Sequence, residues 1–235
     1  MYTIHCQATT STVDSTGHLK LYSALQMMQD CSELWLDSQP QVRDFFESQN
    51  MAQLLASRQV EIVRVPTFKE HLTVTTSVYE VKPMFGFRNT FIYDSDGQPC
   101  YRTWSMGAFV DKNTGRLKRV PDSVAASLLL DTKLPMDYKD RRIILPDVQG
   151  VGCEPIRVMR ADIDYNRHVN NAVYVRMAME LLPENFAIGG LRVDYRSAAH
   201  LGHTLLPTLY TLDPSIIVTL ATQTDTCAII EFTHV

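Results

Sequence analysis

The chain lacks long hydrophobic runs and long runs of one charge. No apolar stretch in its 235 residues approaches the 18 residues that indicate a membrane-spanning helix, so we expect no membrane span. The 22 basic residues are outnumbered by 26 acidic ones, and no long Lys/Arg run occurs. Nucleic acid and anionic membranes are therefore poor general partners, although this balance allows a local basic patch.

Cysteine is scarce and shows no pairing pattern. The five cysteines are an odd number and form no C-x-x-C pair, and no basic-then-apolar leader precedes them. This usage favours a reducing cytoplasm over a secreted disulfide scaffold. We therefore expect a cytoplasmic globular protein whose length allows one large core or two ordinary ones.

Several common catalytic signatures are also missing. No G-x-S-x-G occurs, which leaves serine nucleophile chemistry unsupported, and no P-loop is present. The dinucleotide fingerprint is incomplete, because Gly150 and Gly152 are followed by Pro155 where the third glycine belongs. We expect no organic cofactor.

What the sequence does contain is a dense polar stretch ahead of an apolar segment. DIDYNRHVNN, residues 162–171, holds two acids, three amides, an arginine and a histidine. VYVRMAMELL, residues 173–182, is apolar almost all round, which predicts a helix buried on most faces. An N-cap needs only one residue, and a lone histidine is ordinarily structural, so the surplus of polar groups calls for another explanation.

Metal binding does not explain the polar stretch. It begins like a calcium loop, but Arg167 stands where that loop requires Gly and Val173 where it requires Glu. A zinc site needs further His or Cys at ligand spacing, and His200 and His203 are too far along the chain to form a motif. We expect no metal.

Part of the polar stretch occurs twice. Asp14 and His18, which precede the helix-like residues 21–35, match Asp164 and His168 at a constant offset of 164 − 14 = 150 residues. A short β-prone run stands before each, at residues 2–8 and 155–160. The chain therefore reads as two modules of one design.

Four strand-like segments follow each predicted helix. They are residues 56–65, 71–81, 87–93 and 102–110, and then 190–196, 204–212, 216–223 and 227–234. One helix followed by a run of strands predicts an α+β fold with an antiparallel sheet packed on a helix in each module. Residues 121–152 read as a linker with a short helical piece at 123–130, so we place the domains at 1–150 and 151–235.

The string D-x-N-x-H-V-N-N-x-x-Y, from Asp164 to Tyr174, resembles the signature of plant and bacterial acyl-acyl carrier protein (acyl-ACP) thioesterases. Residues 104–119, WSMGAFVDKNTGRLKR, resemble that family's strand-and-turn segment in the first module. The resemblance implies a tandem (double) hot-dog fold, in which each module wraps an antiparallel sheet round a central helix. It also implies an enzyme of fatty acid biosynthesis that releases free fatty acid from acyl carrier protein.

The residue types of the polar stretch suit thioester hydrolysis. If the chain runs extended from Asp164 to His168, alternate side chains bring a carboxylate, a carboxamide and an imidazole to one side. The following helix N-terminus adds N–H donors and a positive potential. We take Asp164 as base or nucleophile, Asn166 as polariser of the thioester carbonyl and His168 as proton carrier and orienter. The resemblance implies the same three residues and leaves open whether Asp164 attacks directly or through water.

The first module lacks part of this set. Thr16 stands where Asn166 would be, so we expect no reaction there. Its helix contains Met27, Met28 and Trp35, which are ordinarily plain core, but Met also fills adaptable spaces. Because the family houses the acyl chain in its first module, we name these three as candidate substrate-binding residues.

One family position departs from the expected pattern. The family commonly carries Glu three residues after the tyrosine that closes the next strand, here Tyr195, and this chain has Ala198 there. Either the three-residue core suffices, or His200 or His203 substitutes, or the enzyme is weak or specialised. We expect the core to suffice, with both histidines in a turn, and we expect Ala198 to lie near the polar stretch.

Three functions remain open at this stage. Hydrolysis of acyl-ACP is the expected one, and acyl-CoA hydrolysis and non-catalytic binding of an acyl thioester are the alternatives. Because acyl carrier protein is strongly acidic, its docking would need clustered bases. The densest are Arg116, Lys118, Arg119, Arg141 and Arg142. Whether the chain forms a homodimer is left open.

Overall fold

The computed structural model describes residues Met1–Val235 and divides them into two compact units. Unit 1 comprises Met1–Ala56 and Ile62–Tyr138, and unit 2 comprises Ser57–Glu61 and Lys139–Val235. A short piece of one strand from the first half of the chain thus belongs to unit 2. The division after Tyr138 and the predicted boundary near residue 150 both lie within the stretch 121–152.

Unit 1 is an antiparallel sheet with helices packed on it. Its strands are β1 (Tyr2–Gln7), β2 (Met51–Ile62, shared with unit 2), β3 (His71–Lys82), β4 (Phe85–Tyr93) and β5 (Pro99–Asp111). Its helices are α1 (Leu21–Asp37), α2 (Pro40–Ser48) and α3 (Asp122–Ala126). The strand order is β1-β3-β4-β5-β2, and α1 packs on β1, β3 and β4.

Helix α1 takes its place because its apolar residues form one stripe. The buried hydrophobic residues recur every three or four positions and comprise Leu21, Ala24, Leu25, Met28, Cys31 and Trp35. The helix carries no side-chain cap at its N-terminus, so its position depends on burial against the sheet rather than on capping.

Helix α2 is absent from the sequence prediction. It begins at Pro40, which suits the first helical turn because proline lacks an N–H, and it buries Val42 and Phe46 one turn apart. Phe46 packs edge-on against Phe109 with ring centroids 5.6 Å apart. Proline followed by an i, i+4 apolar pair was the signal that could have revealed it.

Unit 2 is an antiparallel sheet with one α-helix. Its own strands are β6 (Val151–Gly152), β7 (Ile156–Arg157), β8 (Ile188–Tyr195), β9 (Thr204–Thr211), β10 (Ser215–Ala221) and β11 (Thr226–His234). They follow Ser57–Glu61 of β2 in the order β8-β11-β10-β9-β6, and β7 also pairs with β9. Helix α4 (Asn171–Met179) packs on β10 and β11.

Helix α4 confirms the prediction of a helix buried on most faces. Its buried residues are Ala172, Val173, Tyr174, Val175, Met177 and Ala178. Its N-cap is Asn170, whose side chain accepts a hydrogen bond from the Ala172 N–H at 2.9 Å. Since Asn170 caps the helix, the Asp164 carboxylate is not needed for that task.

The structure also bears on the expected membrane spans and disulfides. None of the helices combines the length and the apolar character needed to cross a membrane.

All five cysteines are free thiols, and burial raises the pKa of Cys31 and of Cys100 to about 11. These two thiols are therefore neutral at physiological pH and act as small apolar core groups.

Candidate active site

The polar stretch turns back on itself instead of running extended. The Asp164 N–H donates to the His168 carbonyl at 2.9 Å, and the Arg167 N–H donates to the Asp164 carbonyl at 2.9 Å. Arg167 closes this loop with a left-handed φ of 64°. The condition of an extended segment is therefore not met, because local backbone hydrogen bonds fold residues 164–168, called the second loop below, into a tight turn.

One oxygen of the Asp164 carboxylate organises the second loop. Its Oδ1 accepts the N–H groups of Asn166 at 2.9 Å and of His168 at 3.4 Å. Asp164 and His168 are half-buried, and Asn166 is exposed. The turn thus places the three predicted residues in one short loop, by a geometry other than the one expected.

Unit 1 contains the same turn at residues 14–18, called the first loop below. The Asp14 N–H donates to the His18 carbonyl at 2.8 Å, and Asp14 Oδ1 accepts the N–H groups of Thr16 and His18 at 2.8 and 3.0 Å. Gly17 has a φ of 83°, as Arg167 has a positive φ in the second loop. The sequence repeat is therefore also a structural repeat.

Thr16 makes the first loop chemically different from the second. Its hydroxyl donates to Asp14 Oδ1 at 2.7 Å and lies 2.8 Å from His18 Nδ1. The pKa of Asp14 is lowered, chiefly by this side-chain hydrogen bond. The polar groups of the first loop thus satisfy one another, whereas no side-chain hydrogen bond joins the three groups of the second loop. Asp164 Oδ2, the Asn166 carboxamide and the His168 ring there remain for a reactant.

Asp162, at the head of the polar stretch, has a structural role. Its Oδ1 lies 2.6 Å from Arg176 Nη2, and its Oδ2 accepts the Met159 N–H at 2.8 Å. Its backbone carbonyl accepts the Asn170 N–H at 2.9 Å. Because both carboxylate oxygens are engaged, Asp162 fastens the helix entry and is not a candidate for chemistry.

Two tyrosines tie the start of α4 to the end of β8. The Tyr195 hydroxyl donates to the Asn171 carbonyl at 3.0 Å, and the Tyr174 hydroxyl accepts the Ala199 N–H at 2.8 Å. The two rings pack edge-on with centroids 6.2 Å apart. Burial raises the pKa of Tyr195 to about 12 and raises that of Tyr174 as well, so both hydroxyls stay protonated. Their hydrogen bonds have a structural role.

The segment after β8 brings His200 onto the second loop. The Val169 N–H donates to the Ala199 carbonyl at 2.9 Å, and the His200 ring stands edge-on to the His168 ring with centroids 4.8 Å apart. Ala199 is buried, and Ala198 is exposed. The family's acid position thus lies on a segment whose contacts with the loop are made by Ala199 and His200.

His203 extends this contact into a row of three imidazoles. Its ring centroid lies 5.3 Å from that of His200, and the His200 N–H donates to His203 Nδ1 at 3.4 Å. His200 Nδ1 lies 3.3 Å from the Arg167 carbonyl. No group of three or more His, Cys, Asp or Glu side chains has the arrangement of a metal-ligand set. What the row supplies is imidazole, which can both accept and donate a proton.

Trp35 lines an apolar cavity inside unit 1. The cavity measures about 380 Å³, including space open to solvent. Its wall includes Val42, Phe46, Val78, Val81 and Phe109. Met28 is fully buried, with its sulfur 3.2 Å from the Thr103 hydroxyl, and neither Met27 nor Met28 lines the cavity. Of the three predicted substrate-binding residues, Trp35 alone borders this space.

Arg88 is the charged side chain on the cavity wall. Its guanidinium lies 4.6 Å from the centre of the Trp35 ring, and its Nη1 donates to the Ser32 carbonyl at 3.0 Å. The Trp35 ring and the Ser32 carbonyl hold the guanidinium at a wall whose other residues are apolar apart from Gln53 and Gly86. No sequence signal pointed to Arg88, because its partners lie more than 50 positions away.

Two family models match the chain. The model described as the acyl-ACP thioesterase N-terminal domain matches residues 1–128, and the model described as the acyl-ACP thioesterase C-terminal domain matches residues 149–208. The first match contains the first loop and the second contains the second loop.

Curated relatives include plant proteins. "Acyl-[acyl-carrier-protein] hydrolase FATB3, chloroplastic" of Cuphea viscosissima is 28% identical over 171 residues, which cover 69% of this chain and 41% of that protein. "Oleoyl-acyl carrier protein thioesterase 1, chloroplastic" of Arabidopsis thaliana is 24% identical over 155 residues, which cover 60% of this chain and 43% of that protein. The chain thus spans about two fifths of the length of these relatives.

Solved structures share the fold. An acyl-ACP thioesterase from Bacteroides thetaiotaomicron has a TM-score of 0.87 at 20% identity, with 98% of this chain and 96% of that chain covered. The 12:0-ACP thioesterase from Umbellularia californica has a TM-score of 0.85 at 17% identity, with the same coverage. The predicted α+β tandem hot-dog fold is confirmed.

Proposed function

We propose, on the premise that this chain belongs to the acyl-ACP thioesterase family, that it hydrolyses fatty acyl-ACP to free fatty acid and carrier protein. The observation that carries the proposal is the second loop. It holds a carboxylate, a carboxamide and an imidazole together at the N-terminus of a buried helix, with no side-chain hydrogen bond among them. The first loop has the same backbone and lacks these free groups.

The proposed chemistry uses each group once. Asp164 takes a proton from a water molecule, whose oxygen attacks the thioester carbonyl carbon. The Asn166 amide donates to the oxygen on which negative charge develops, and the positive end of α4 favours the same charge. When the carbon–sulfur bond breaks, His168 supplies a proton to the thiolate if one is needed. Direct attack by Asp164 is the alternative: it expels the thiolate and forms a mixed anhydride between Asp164 and the acyl group. Attack of labelled water on the Asp164 carbonyl of that anhydride would leave ¹⁸O in the Asp164 side chain, which the water-mediated route does not do.

Steady-state hydrolysis of a matched substrate panel tests the function. The same acyl chain is offered on acyl carrier protein and on coenzyme A, and kcat/KM is measured for each. We expect turnover of both with a clear preference for the carrier protein. Equal or higher efficiency on coenzyme A would favour the acyl-CoA alternative, and tight binding without turnover would favour a non-catalytic binding protein.

Three exposed arginines, two shortly before the second loop in sequence and one within it, support an acidic protein partner. Arg157, Arg160 and Arg167 are all exposed and form no ion pair. By contrast, two bases singled out from the sequence are engaged in unit 1, since Lys118 lies 3.6 Å from Asp111 and Arg119 lies 3.3 Å from Asp122. The unpaired arginines are therefore better placed to attract acyl carrier protein to the reacting groups.

Salt should weaken the reaction with carrier-bound substrate more than the reaction with a small neutral thioester. Added salt screens exposed charges, so kcat/KM for acyl-ACP should fall steeply, and kcat/KM for a short uncharged thioester should change little. Replacing Arg160 and Arg167 together by Gln should flatten the salt dependence, whereas Arg119→Gln should leave it steep. Parallel salt responses of the two substrates would contradict docking by charge.

The cavity of unit 1 suits the acyl chain, because most of the residues that line it are apolar. Val81→Phe should shift substrate preference toward shorter chains, since each methylene denied burial costs about 0.8 kcal/mol, roughly fourfold in binding. Met27→Phe is the matched control, since Met27 does not line the cavity. A shift with Met27→Phe and none with Val81→Phe, measured as relative kcat/KM over an acyl-length series, would contradict this assignment.

We also propose that the protein works in the cytoplasm. The five free cysteines support a reducing compartment, although the plant relatives are named as chloroplastic. Fractionation of the source cells with an antibody against this chain tests the location.

A further inference from the structure

Arg58 is a buried arginine with two guanidinium nitrogens that lack a hydrogen-bond partner. It lies on β2 within unit 2 and is 4% exposed. Its Nε and Nη1 are buried and make no hydrogen bond. A guanidinium stays charged in proteins, and a buried charge is strongly unfavourable unless an anion or a hydrogen-bond acceptor compensates it. Arg58 therefore calls for an oxygen-bearing partner.

The register of the strands shows which way Arg58 points. Arg58 is paired with Val193 of β8, and directly paired residues of antiparallel strands share a face of the sheet. Tyr195, two positions on from Val193, points to that face too. The Tyr195 hydroxyl donates to the Asn171 carbonyl at the start of α4, so Arg58 lies on the face that carries the helix N-terminus. The guanidinium and the Tyr195 hydroxyl also influence each other electrostatically.

A short path leads from Arg58 to the reacting groups. Tyr195 packs against Tyr174, and the negative charge of Asp164 contributes to the raised pKa of the Tyr174 hydroxyl. Arg58 itself forms no ion pair with Asp164, so it is not the counterion of that carboxylate. The acid next to Tyr195 in sequence, Asp194, points to the opposite face and is bound by Arg196 at 3.0 Å. The positive charge of Arg58 is thus uncompensated by its neighbours.

We propose that Arg58 binds the carboxyl end of the acyl group, as the thioester carbonyl oxygen in the substrate and as the carboxylate in the product. This inference rests on the proposed function, because the acyl group is the reactant assigned to the second loop. Guanidinium suits both forms, since its N–H groups donate to carbonyl oxygens and bind carboxylates through charge-assisted hydrogen bonds. A buried site favours so small a group over a bulky phosphodiester.

Equilibrium binding of matched ligands tests the inference without requiring turnover. A free fatty acid and the fatty alcohol of the same chain length are titrated into the wild-type protein, Arg58→Met and Arg58→Lys. The wild type should prefer the acid by about 10- to 100-fold, the range for a hydrogen bond to a charged group. Arg58→Met should lose that preference and still bind the alcohol, and Arg58→Lys should retain part of it.

Arg192→Met is the matched control. Arg192 is paired in register with Gln59, next to Arg58 on the opposite face, and it is bound to Glu231. Its replacement should leave the preference for acid over alcohol unchanged, and circular dichroism verifies the fold of each variant. If Arg58→Met does not fold, Arg58→Lys decides, because an acid-to-alcohol ratio equal to that of the wild type overturns the proposal.

The possible failures can be told apart. Equal binding of acid and alcohol by the wild type, or an unchanged preference in Arg58→Met, overturns the role of Arg58 and marks it as a structural arginine. A protein that shows the Arg58-dependent preference but hydrolyses no thioester overturns the proposed hydrolase function and leaves the carboxyl site standing.

Discussion

Asp164→Asn will lower kcat on acyl-ACP by roughly 10²–10⁴, the range for loss of a general acid–base group. Asparagine can accept the two loop N–H groups through its own Oδ1, as Asp164 Oδ1 does in the second loop. The turn should therefore keep its shape while the basic carboxylate is lost. The loss should appear in kcat at saturating substrate, with the melting temperature close to that of the wild type.

The chain offers a matched control for this replacement. Asp14→Asn makes the same chemical change in the first loop, where the same backbone N–H groups bind the carboxylate. We expect it to leave kcat unchanged, because Thr16 and His18 there satisfy each other and Asp14. A loss below about threefold in folded Asp164→Asn, or an equal loss in Asp14→Asn, would contradict the assignment of Asp164 as the base.

The sequence predicted most of the helices and strands that depend on simple periodicity. Helix α1 was expected at residues 21–35 and spans Leu21–Asp37, and β11 was expected at 227–234 and spans Thr226–His234. Helix α1 buries one stripe of apolar residues, and β11 contains a continuous buried run from Cys227 to Ile230, so in both cases the pattern of apolar residues predicts the element. The repeat of Asp14 and His18 at Asp164 and His168 was equally visible, since it depends on residue identity.

Elements with mixed patterns were predicted less well. Strand β2 begins at Met51 rather than at 56, and the expected strand at 155–160 shortens to Ile156–Arg157. Residues 51–55 carry no turn signal that separates them from α2, and α2 itself has only two buried positions. Residues 160–162 form a 3₁₀ turn because Asp162 binds the Met159 N–H, a local side-chain bond that periodicity does not reveal.

The sequence predicted the residues of the candidate site but not the turn that they form. The sequence named Asp164, Asn166 and His168. The loop closes, however, because Arg167 takes a left-handed backbone conformation, which few non-glycine residues adopt. The positions of Arg58 and His200 depend on strand register and on contacts between segments distant in sequence. A single sequence shows neither, so the buried cation and the second imidazole could only be seen in the fold.

The family's Glu is replaced by Ala198 in this chain, and the structure strengthens the explanation that His200 takes over its role. From sequence alone the core trio was expected to suffice, with His200 as an incidental histidine of a turn. The structure instead packs its ring on His168, on a segment fixed by the Ala199 bonds to Val169 and Tyr174. An imidazole at this place can receive or return the proton that His168 carries.

We therefore expect His200→Ala to lower kcat by about 10²-fold and to alter the pH dependence of kcat, as loss of a proton-transfer group does. His200→Phe separates this role from packing, because phenylalanine keeps a ring against His168 but carries no proton. Equal losses in both variants support proton transfer, whereas activity retained by His200→Phe would show that the ring only positions His168.

His203→Ala is the matched control, since the His203 ring contacts His200, and this variant should keep kcat within a few-fold. Adding Ala198→Glu to His200→Ala should recover part of the activity, because it returns an acid to the position where the family carries one. If His200→Ala itself stays within a few-fold of the wild type, the trio of the second loop suffices, and the contact between the two rings has no part in the reaction.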